Sequence, residues 1–330
     1  MADSGKTENA SSSSHFDVVP LAADHHFLHD PTKKNSLVSH FSNAQSPVYR
    51  AIMREWKILQ SSLPDSIHVQ TYETRIDLLR AVVIGPQGTP YHDGLFFFDI
   101  SLPAHYPVGP PSVYYRSHGY RLNPNLYANG KVCLSLINTW YGNSRERWTH
   151  GSTLLQLLVS IQGLVLNERP FFNEPGFEAG KNSQSCFWVK SSNVYNETTF
   201  VLSCKTMARV ARSPPKKFEE FVDRHFRARA DPILTAIGDY VEGLAMVGSL
   251  EGDEGRRIRV SRRFKNDLAR VRGELEVAFS RYLPLGWVDC NRAVDVEKPK
   301  EDVKKKGKKG LWKSLLGLWR RFGIETEGFE

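Results

Sequence analysis

The segment Asn123–Trp140 constrains this 330-residue chain more than any other part of its sequence. Asn-Pro-Asn at 123–125 and Asn-Gly at 129–130 are turn sequences, and they precede the apolar run Val132-Cys133-Leu134. That order predicts a turn-rich loop that leads one cysteine into a short extended piece on a core. A lone cysteine in such a run is most often a buried structural thiol. The alternative is a thiol held for chemistry, and the neighbouring motifs bear on that choice.

Further motifs precede this segment in a fixed order. Gly85–Tyr91 reads Gly-Pro-Gln-Gly-Thr-Pro-Tyr, Gly94–Phe98 follows as a strand, and Pro103–Pro111 reads Pro-Ala-His-Tyr-Pro-Val-Gly-Pro-Pro. With the cysteine segment, these motifs resemble the ubiquitin-conjugating enzymes over roughly residues 46 to 177. In that family a His-Pro-Asn tripeptide precedes a catalytic cysteine in a Gly-x-[IV]-Cys-Leu setting. Asn123 replaces the histidine, which favours a divergent branch similar to the large hybrid conjugating/ligase enzymes of plants and animals.

The resemblance implies a catalytic role for Cys133 and Asn125. A thiolate is both a nucleophile and a leaving group, so Cys133 would accept ubiquitin as a thioester and release it to a lysine. The Asn125 carboxamide would donate to the developing oxyanion, and its alternative role is that of a turn residue. Asn173 and Glu174, which follow the second helix of the family domain, would position the acceptor lysine.

The resemblance also implies partners. Ubiquitin, the ubiquitin-activating enzyme and a substrate protein are expected, together with a ligase that would meet Val108 and the loop Trp148-Thr149-His150. The activating enzyme consumes the ATP, so this chain is expected to need no cofactor and no metal. No nucleic-acid partner is predicted.

The pattern of apolar residues predicts an α+β fold, and the resemblance implies that it has the ubiquitin-conjugating architecture. A helix capped by Ser46 is followed by a four-stranded antiparallel meander, the cysteine loop, a second helix over 153–166 capped by Ser152, and a helical C-terminal extension. The predicted strands cover 67–72, 76–84, 95–102 and 112–116. The predicted helices of the extension cover 183–212, 215–242 and 261–282.

Composition shifts divide the chain into four predicted regions. Residues 1–45 are predicted to be a disordered arm, 46–180 the catalytic domain, 181–290 the helical extension and 291–330 a basic amphipathic tail. An insertion relative to smaller family members is predicted at 141–147. The net charge of +8 is concentrated late in the chain, where Arg256–Lys265 forms a basic helix face that is either solvated or binds an acidic partner.

The tail segment Lys304–Phe322 combines a lysine run with an apolar stripe and two tryptophans. It fits an anionic membrane surface, a nuclear-import signal, a calmodulin-type target or a helix docked on its own domain. The absence of an apolar leader and of paired cysteine spacings predicts free thiols in a reducing cytoplasmic or nuclear compartment, with peripheral membrane contact as one alternative.

Two other functions compete with conjugation. The first is a catalytically inactive conjugating fold that binds ubiquitin or a partner as a scaffold, and the presence of Cys133 argues against it. The second is a cysteine hydrolase, for which His105, His118 or His150 would have to reach the thiol.

Overall fold

The computed structural model describes residues 15–29, 41, 43–140, 144–248 and 258–284. Within these ranges the chain forms an α+β fold with one five-stranded sheet and five α-helices. The strands are β1 (Phe16–Val19), β2 (Ile67–Tyr72), β3 (Arg75–Ile84), β4 (Leu95–Ser101) and β5 (Ser112–Tyr115). The helices are α1 (Pro47–Ser62), α2 (Leu154–Ser160), α3 (Cys186–Arg212), α4 (Glu219–Glu242) and α5 (Arg262–Phe279).

The sheet follows the order β1-β2-β3-β4-β5, and β2 to β5 form the predicted antiparallel meander. The fifth strand was not predicted. β1 pairs in parallel with β2, with Phe16 opposite Val69. The prediction of disorder is therefore wrong for residues 15–29, because Phe16 is buried against Trp56 and the backbone of β1 joins the ladder. The other regional boundaries stay predictions.

Alternate residues of the central strands feed two separate cores. Ala81 and Phe98 face the first core, which α1 and α2 cover. Val82 and Phe97 face the second, which the extension helices α3, α4 and α5 cover. The strand through Phe96–Phe98 is therefore buried on both faces, and the extension packs on the conjugating domain across the sheet.

Helix α1 begins as predicted, with the Ser46 hydroxyl accepting from Tyr49 N at 3.0 Å. Helix α2 is capped by Thr153, whose hydroxyl accepts from Gln156 N at 3.1 Å, so the prediction of Ser152 as the cap is wrong. Ser152 instead accepts from Thr149 N at 3.0 Å and closes the preceding turn. Beyond Ser160 the helix widens into a π-turn, Ile161–Val165.

The extension helices start later than predicted. Helix α3 begins at Cys186, and α4 begins at Glu219 because Pro215 belongs to a turn closed by Phe218 N. A polar cluster on the tip of the β3–β4 hairpin holds α4 in place, where Arg229 pairs with Asp93 at 2.6 Å and Tyr240 contacts His92 at 3.0 Å.

No helix in the described part of the chain is long and apolar enough to cross a membrane. The tail segment 304–322, Cys290, and the residues Arg256 and Arg257 of the basic face lie outside the described residues. Within the described residues Cys133, Cys186 and Cys204 are free thiols.

Candidate active site

The cysteine loop folds back on itself through a set of short backbone hydrogen bonds. Gly130 N donates to Tyr127 O at 3.0 Å, and Tyr127 N donates to Lys131 O at 3.0 Å. Gly130 adopts φ +86°, a left-handed conformation that glycine takes without steric cost. The turn brings Cys133 back beside the first residues of the loop, where Cys133 N donates to Asn125 O at 2.9 Å.

Asn123 anchors the start of the loop from a fully buried position. Its Nδ2 donates to the Tyr91 hydroxyl and to Val165 O, both at 2.7 Å. Its Oδ1 accepts from Asn125 N at 2.8 Å. The asparagine therefore ties the loop to the β3–β4 hairpin and to the π-turn, which is a supporting role.

Asn125 lies directly beside Cys133. Its Nδ2 donates to the Cys133 carbonyl oxygen at 2.8 Å, and the residue is 8% exposed. An amide nitrogen carries two N–H donors, and this contact uses one of them. The structure thus gives Asn125 a role in holding the loop, while its role toward an oxyanion stays a prediction.

Opposing influences act on the Cys133 thiol. Burial raises the pKa of Cys133, while the charge of Lys131, a hydrogen bond with Tyr127 and the charge of Arg121 lower it, and the net shift is upward. Both cations also flank the Tyr127 ring, with the Arg121 guanidinium carbon 4.5 Å and Lys131 Nζ 5.7 Å from its centroid. A thiolate formed at Cys133 would therefore lie beside two positive charges.

Sequence reasoning missed Tyr127 and Arg121 as site residues. Burial and the negative charge of Cys133 raise the pKa of Tyr127, and Glu174 raises it further. The available signal was the position of an aromatic hydroxyl two residues after Asn125, inside the same turn. Periodicity could not reveal it, because the turn itself brings the ring to the thiol.

The two candidates for positioning a lysine have different surroundings. Asn173 contacts the groups that hold the cysteine loop in place. Its Nδ2 donates to Val165 O at 3.2 Å and to Asn123 Oδ1 at 3.3 Å. Glu174 instead acts electrostatically on Tyr127 and on Tyr195. Of the two candidates, Glu174 is the one that acts on Tyr127, the residue hydrogen-bonded to the Cys133 thiol.

The structure brings the two predicted partner loops together. Trp148 Nε1 donates to Pro107 O at 2.8 Å, which joins the Trp148-Thr149-His150 loop to the loop that carries Val108. Val108 is 61% exposed, Thr149 and His150 are exposed, and Trp148 is buried. The two loops therefore form one continuous surface with an apolar side chain at its tip.

Two alternative chemistries receive no support from the described residues. The groups that act on the Cys133 thiol there are Tyr127, Lys131 and Arg121, and no histidine is among them. No set of three or more His, Cys, Asp or Glu side chains is arranged to hold a metal ion in the same ranges.

Comparison with known proteins identifies the family. Residues 51–192 match the family model for ubiquitin-conjugating enzymes. The chain is 44% identical to ubiquitin-conjugating enzyme E2 38 of Arabidopsis thaliana over 295 residues, which cover 87% of this chain and 85% of that protein. This chain belongs to the ubiquitin-conjugating enzyme family. The resemblance drawn from its motifs is confirmed.

Other relatives are much longer than this chain. Ubiquitin-conjugating enzyme E2 23 of Arabidopsis thaliana is 47% identical over 84% of this chain, which spans only 24% of that protein. The human dual E2 ubiquitin-conjugating enzyme/E3 ubiquitin-protein ligase BIRC6 is 36% identical over 61% of this chain, which corresponds to 4% of its length. The chain thus corresponds to one part of these larger relatives.

Proposed function

We propose that Cys133 accepts the ubiquitin C-terminus as a thioester and passes it to a lysine. In the first step the Cys133 thiolate attacks the thioester carbonyl on the activating enzyme, and the activating enzyme's cysteine leaves as a thiolate. In the second step a neutral lysine amine attacks the new thioester, Cys133 leaves as a thiolate, and the amine loses a proton to water as the amide forms. The observation that carries this proposal is the loop geometry that sets Cys133 beside Asn125 and Tyr127, with Lys131 and Arg121 over the Tyr127 ring.

The cations serve both steps for the same reason. Lys131 and Arg121 favour the thiolate, which is the attacking form in the first step and the departing form in the second. Burial opposes them and keeps the pKa of Cys133 above its usual value, so the thiol is mostly protonated at neutral pH. Charging should therefore speed up as pH rises toward that pKa.

For the second step we assign Glu174 and Tyr127 to the incoming lysine. A carboxylate attracts the lysine side chain, and a tyrosine ring orients its methylene stem. The Asn125 carboxamide keeps a second N–H that can reach the oxyanion. Asn173 supports the loop through Asn123 and Val165 instead.

The test is a charging assay with ubiquitin-activating enzyme, ATP and ubiquitin on the wild type and on Cys133→Ser. We expect a thiol-sensitive adduct on the wild type and a thiol-resistant oxyester on the serine variant. Cys186→Ser is the matched control, because Cys186 is an exposed free thiol on α3 and should charge normally. A wild-type protein that stays uncharged while a control enzyme charges would reject this function in favour of the inactive scaffold.

Ligase partnership and hybrid activity are further parts of the proposal. Support for a ligase partner comes from the surface formed by Val108, Thr149 and His150. Support for hybrid activity comes from the similarity to a protein named as both conjugating enzyme and ligase. Substrate ubiquitination by the charged chain with no ligase added would establish hybrid activity, and strict dependence on an added ligase would refute it.

We also propose a cytoplasmic or nuclear location and no cofactor of the chain's own. Peripheral membrane contact through residues 304–322 is a separate proposal that rests on the sequence. Sedimentation with anionic liposomes tests it, since the full chain should bind in a salt-sensitive manner and a chain ending at Pro299 should not.

A further inference from the structure

The N-terminal segment 15–29 contacts strands β2, β3, β4 and β5 in turn. Its strand β1 pairs with β2, and His25 Nε2 then contacts Leu79 O on β3 at 3.0 Å. The next residue, His26, donates its backbone N–H to Asp99 Oδ2 on β4 at 2.9 Å. This segment lies outside residues 51–192, the part that matches the family model.

A partly buried ionic cluster of Asp24, Arg80, Asp99 and Arg116, here called the clamp, fixes the segment. Arg80 Nη1 donates to Asp24 Oδ1 at 2.8 Å, and Arg116 Nη2 donates to Asp24 Oδ2 at 3.1 Å. Arg80 also donates from Nε to Asp99 Oδ1 at 2.6 Å, and both of those side chains are fully buried. Charges that are buried and fully paired hold one geometry, because any displacement leaves an uncompensated charge. The residues after Asp24 are therefore set at a defined position.

The ring of His26 stacks on Tyr114 of β5. The two centroids are 3.5 Å apart and the rings are within 4° of parallel. The Tyr114 ring also lies against the backbone of Gly130, where an added Cβ would fall 2.0 Å from it. Tyr114 is paired with Lys131 in an antiparallel bridge, and Tyr115 N donates to Gly130 O at 2.8 Å.

A continuous chain of contacts thus runs from the N-terminal segment to the active-site turn. Gly130 and Lys131 belong to the turn that also holds Tyr127, and both Lys131 and Tyr127 act on the Cys133 thiol. We propose that His26 is a positioning residue for ubiquitin transfer, acting through Tyr114 on this turn. The inference rests on the proposed function, since the positioned groups are Lys131, which acts on the thiolate, and Tyr127, which meets the acceptor lysine.

The stack matters because the Tyr114 ring packs directly against Gly130 in the active-site turn. Without His26, one face of the Tyr114 ring loses its partner, and the ring can move away from Gly130. Small displacements of groups that orient a reacting pair reduce rate strongly. Arg80 and Arg116 hold Asp24 in the clamp, so removal of the His26 ring should leave the segment attached.

The experiment measures discharge of the full chain in a single turnover. The protein is charged with ubiquitin, the activating enzyme is stopped by removing magnesium, and free lysine is added over a range of concentrations. The variants are His26→Ala, His26→Phe, which keeps an aromatic face, and Val18→Ala as a control on the exposed side of β1. Melting temperature is measured for each.

We expect His26→Ala to lower the discharge rate constant by about threefold to tenfold, the range that an aromatic pair supports. His26→Phe and Val18→Ala should stay within about twofold of the wild type, and melting temperatures should move by less than about 4 °C. Wild-type discharge by His26→Ala would overturn the inference. So would equal slowing in His26→Phe or Val18→Ala, since either result would show a general effect of the segment. A wild type that never charges would instead refute the proposed function, which the first step of the assay reports separately.

Discussion

Asn123→Ala should destabilise the protein more than any other asparagine substitution in the cysteine loop. The substitution removes both donors and the acceptor of a side chain that is 0% exposed. Asn125 N then loses the acceptor that it contacts at 2.8 Å and remains buried without a partner. Val165 O keeps a second donor from Asn173 at 3.2 Å, and Tyr91 keeps its contact to Leu122 O at 3.3 Å.

The magnitude follows from these remaining contacts. A buried donor left without a partner costs about 1–3 kcal/mol, and each of the two hydrogen bonds whose partners stay satisfied contributes about 0.5–1.5 kcal/mol. The sum gives a loss of about 2–6 kcal/mol in the free energy of unfolding. That is a large part of the stability of an ordinary domain, which is about 5–15 kcal/mol.

Urea unfolding followed by tryptophan fluorescence measures this loss as a shift of the transition midpoint at constant slope. Asn129→Ala is the matched control, because Asn129 is exposed and its Oδ1 accepts from Lys131 N at 3.1 Å. Its loss should stay below about 1 kcal/mol. Asn123→His restores the residue usual in the family, and a neutral imidazole offers one donor and one acceptor, so its loss should be smaller than that of alanine. A loss below about 1 kcal/mol for Asn123→Ala would refute the assignment of Asn123 as the anchor of the loop.

The remaining predictions concern charge and chemistry at the site and in the clamp. Lys131→Ala removes a cation that lowers the pKa of Cys133, so the alkylation rate of the thiol should rise at a higher pH than in the wild type; an unchanged profile would exclude this cation as an influence. Asn125→Ala should still charge but discharge to lysine on the order of 10²–10³ times more slowly, while equal slowing of both steps would indicate a structural role alone. Burial raises the pKa of Asp99, but its hydrogen bond from Arg80 and other contacts outweigh that effect and hold the pKa below its usual value. Asp99 should therefore stabilise the fold above the unfolded pKa of about 3.9, and that contribution should be lost as pH falls through its lower folded pKa. Asp99→Asn should flatten the acid limb of the stability curve, and an unchanged limb would argue against the clamp.

Local patterns predicted the elements whose signals are local. Strand β2 was predicted to the residue, because alternating residues fall between clear turn sequences, and α1 was predicted from Ser46-Pro47. Strand β1 was not predicted from the sequence, because it has four residues and pairs with a strand about 50 positions away. A similar limit applies to the site, where Cys133 and Asn125 came from a motif. The geometry of the turn brings Tyr127 to the thiol, and His26 reaches Tyr114 from a distant part of the chain.

The presence of Asn123 in place of the family's histidine affects which residue can supply an acidic group for the incoming lysine. Asn123 Oδ1 and Val165 O both point acceptor oxygens toward the side chain of residue 173, and Asn173 Nδ2 donates to both of them. A carboxylate at position 173 would have no proton to donate, and three acceptor oxygens would then meet in a partly buried space. The asparagine anchor of the loop therefore favours an amide at 173, and an acidic group for the incoming lysine has to come from another position. Glu174, the next residue, is coupled to Tyr127 beside the thiol. The support of the loop is thus linked to the position of the acid. A substitution that restores histidine at 123 would remove one of the two acceptors that favour an amide at 173, and Val165 O would remain as the other.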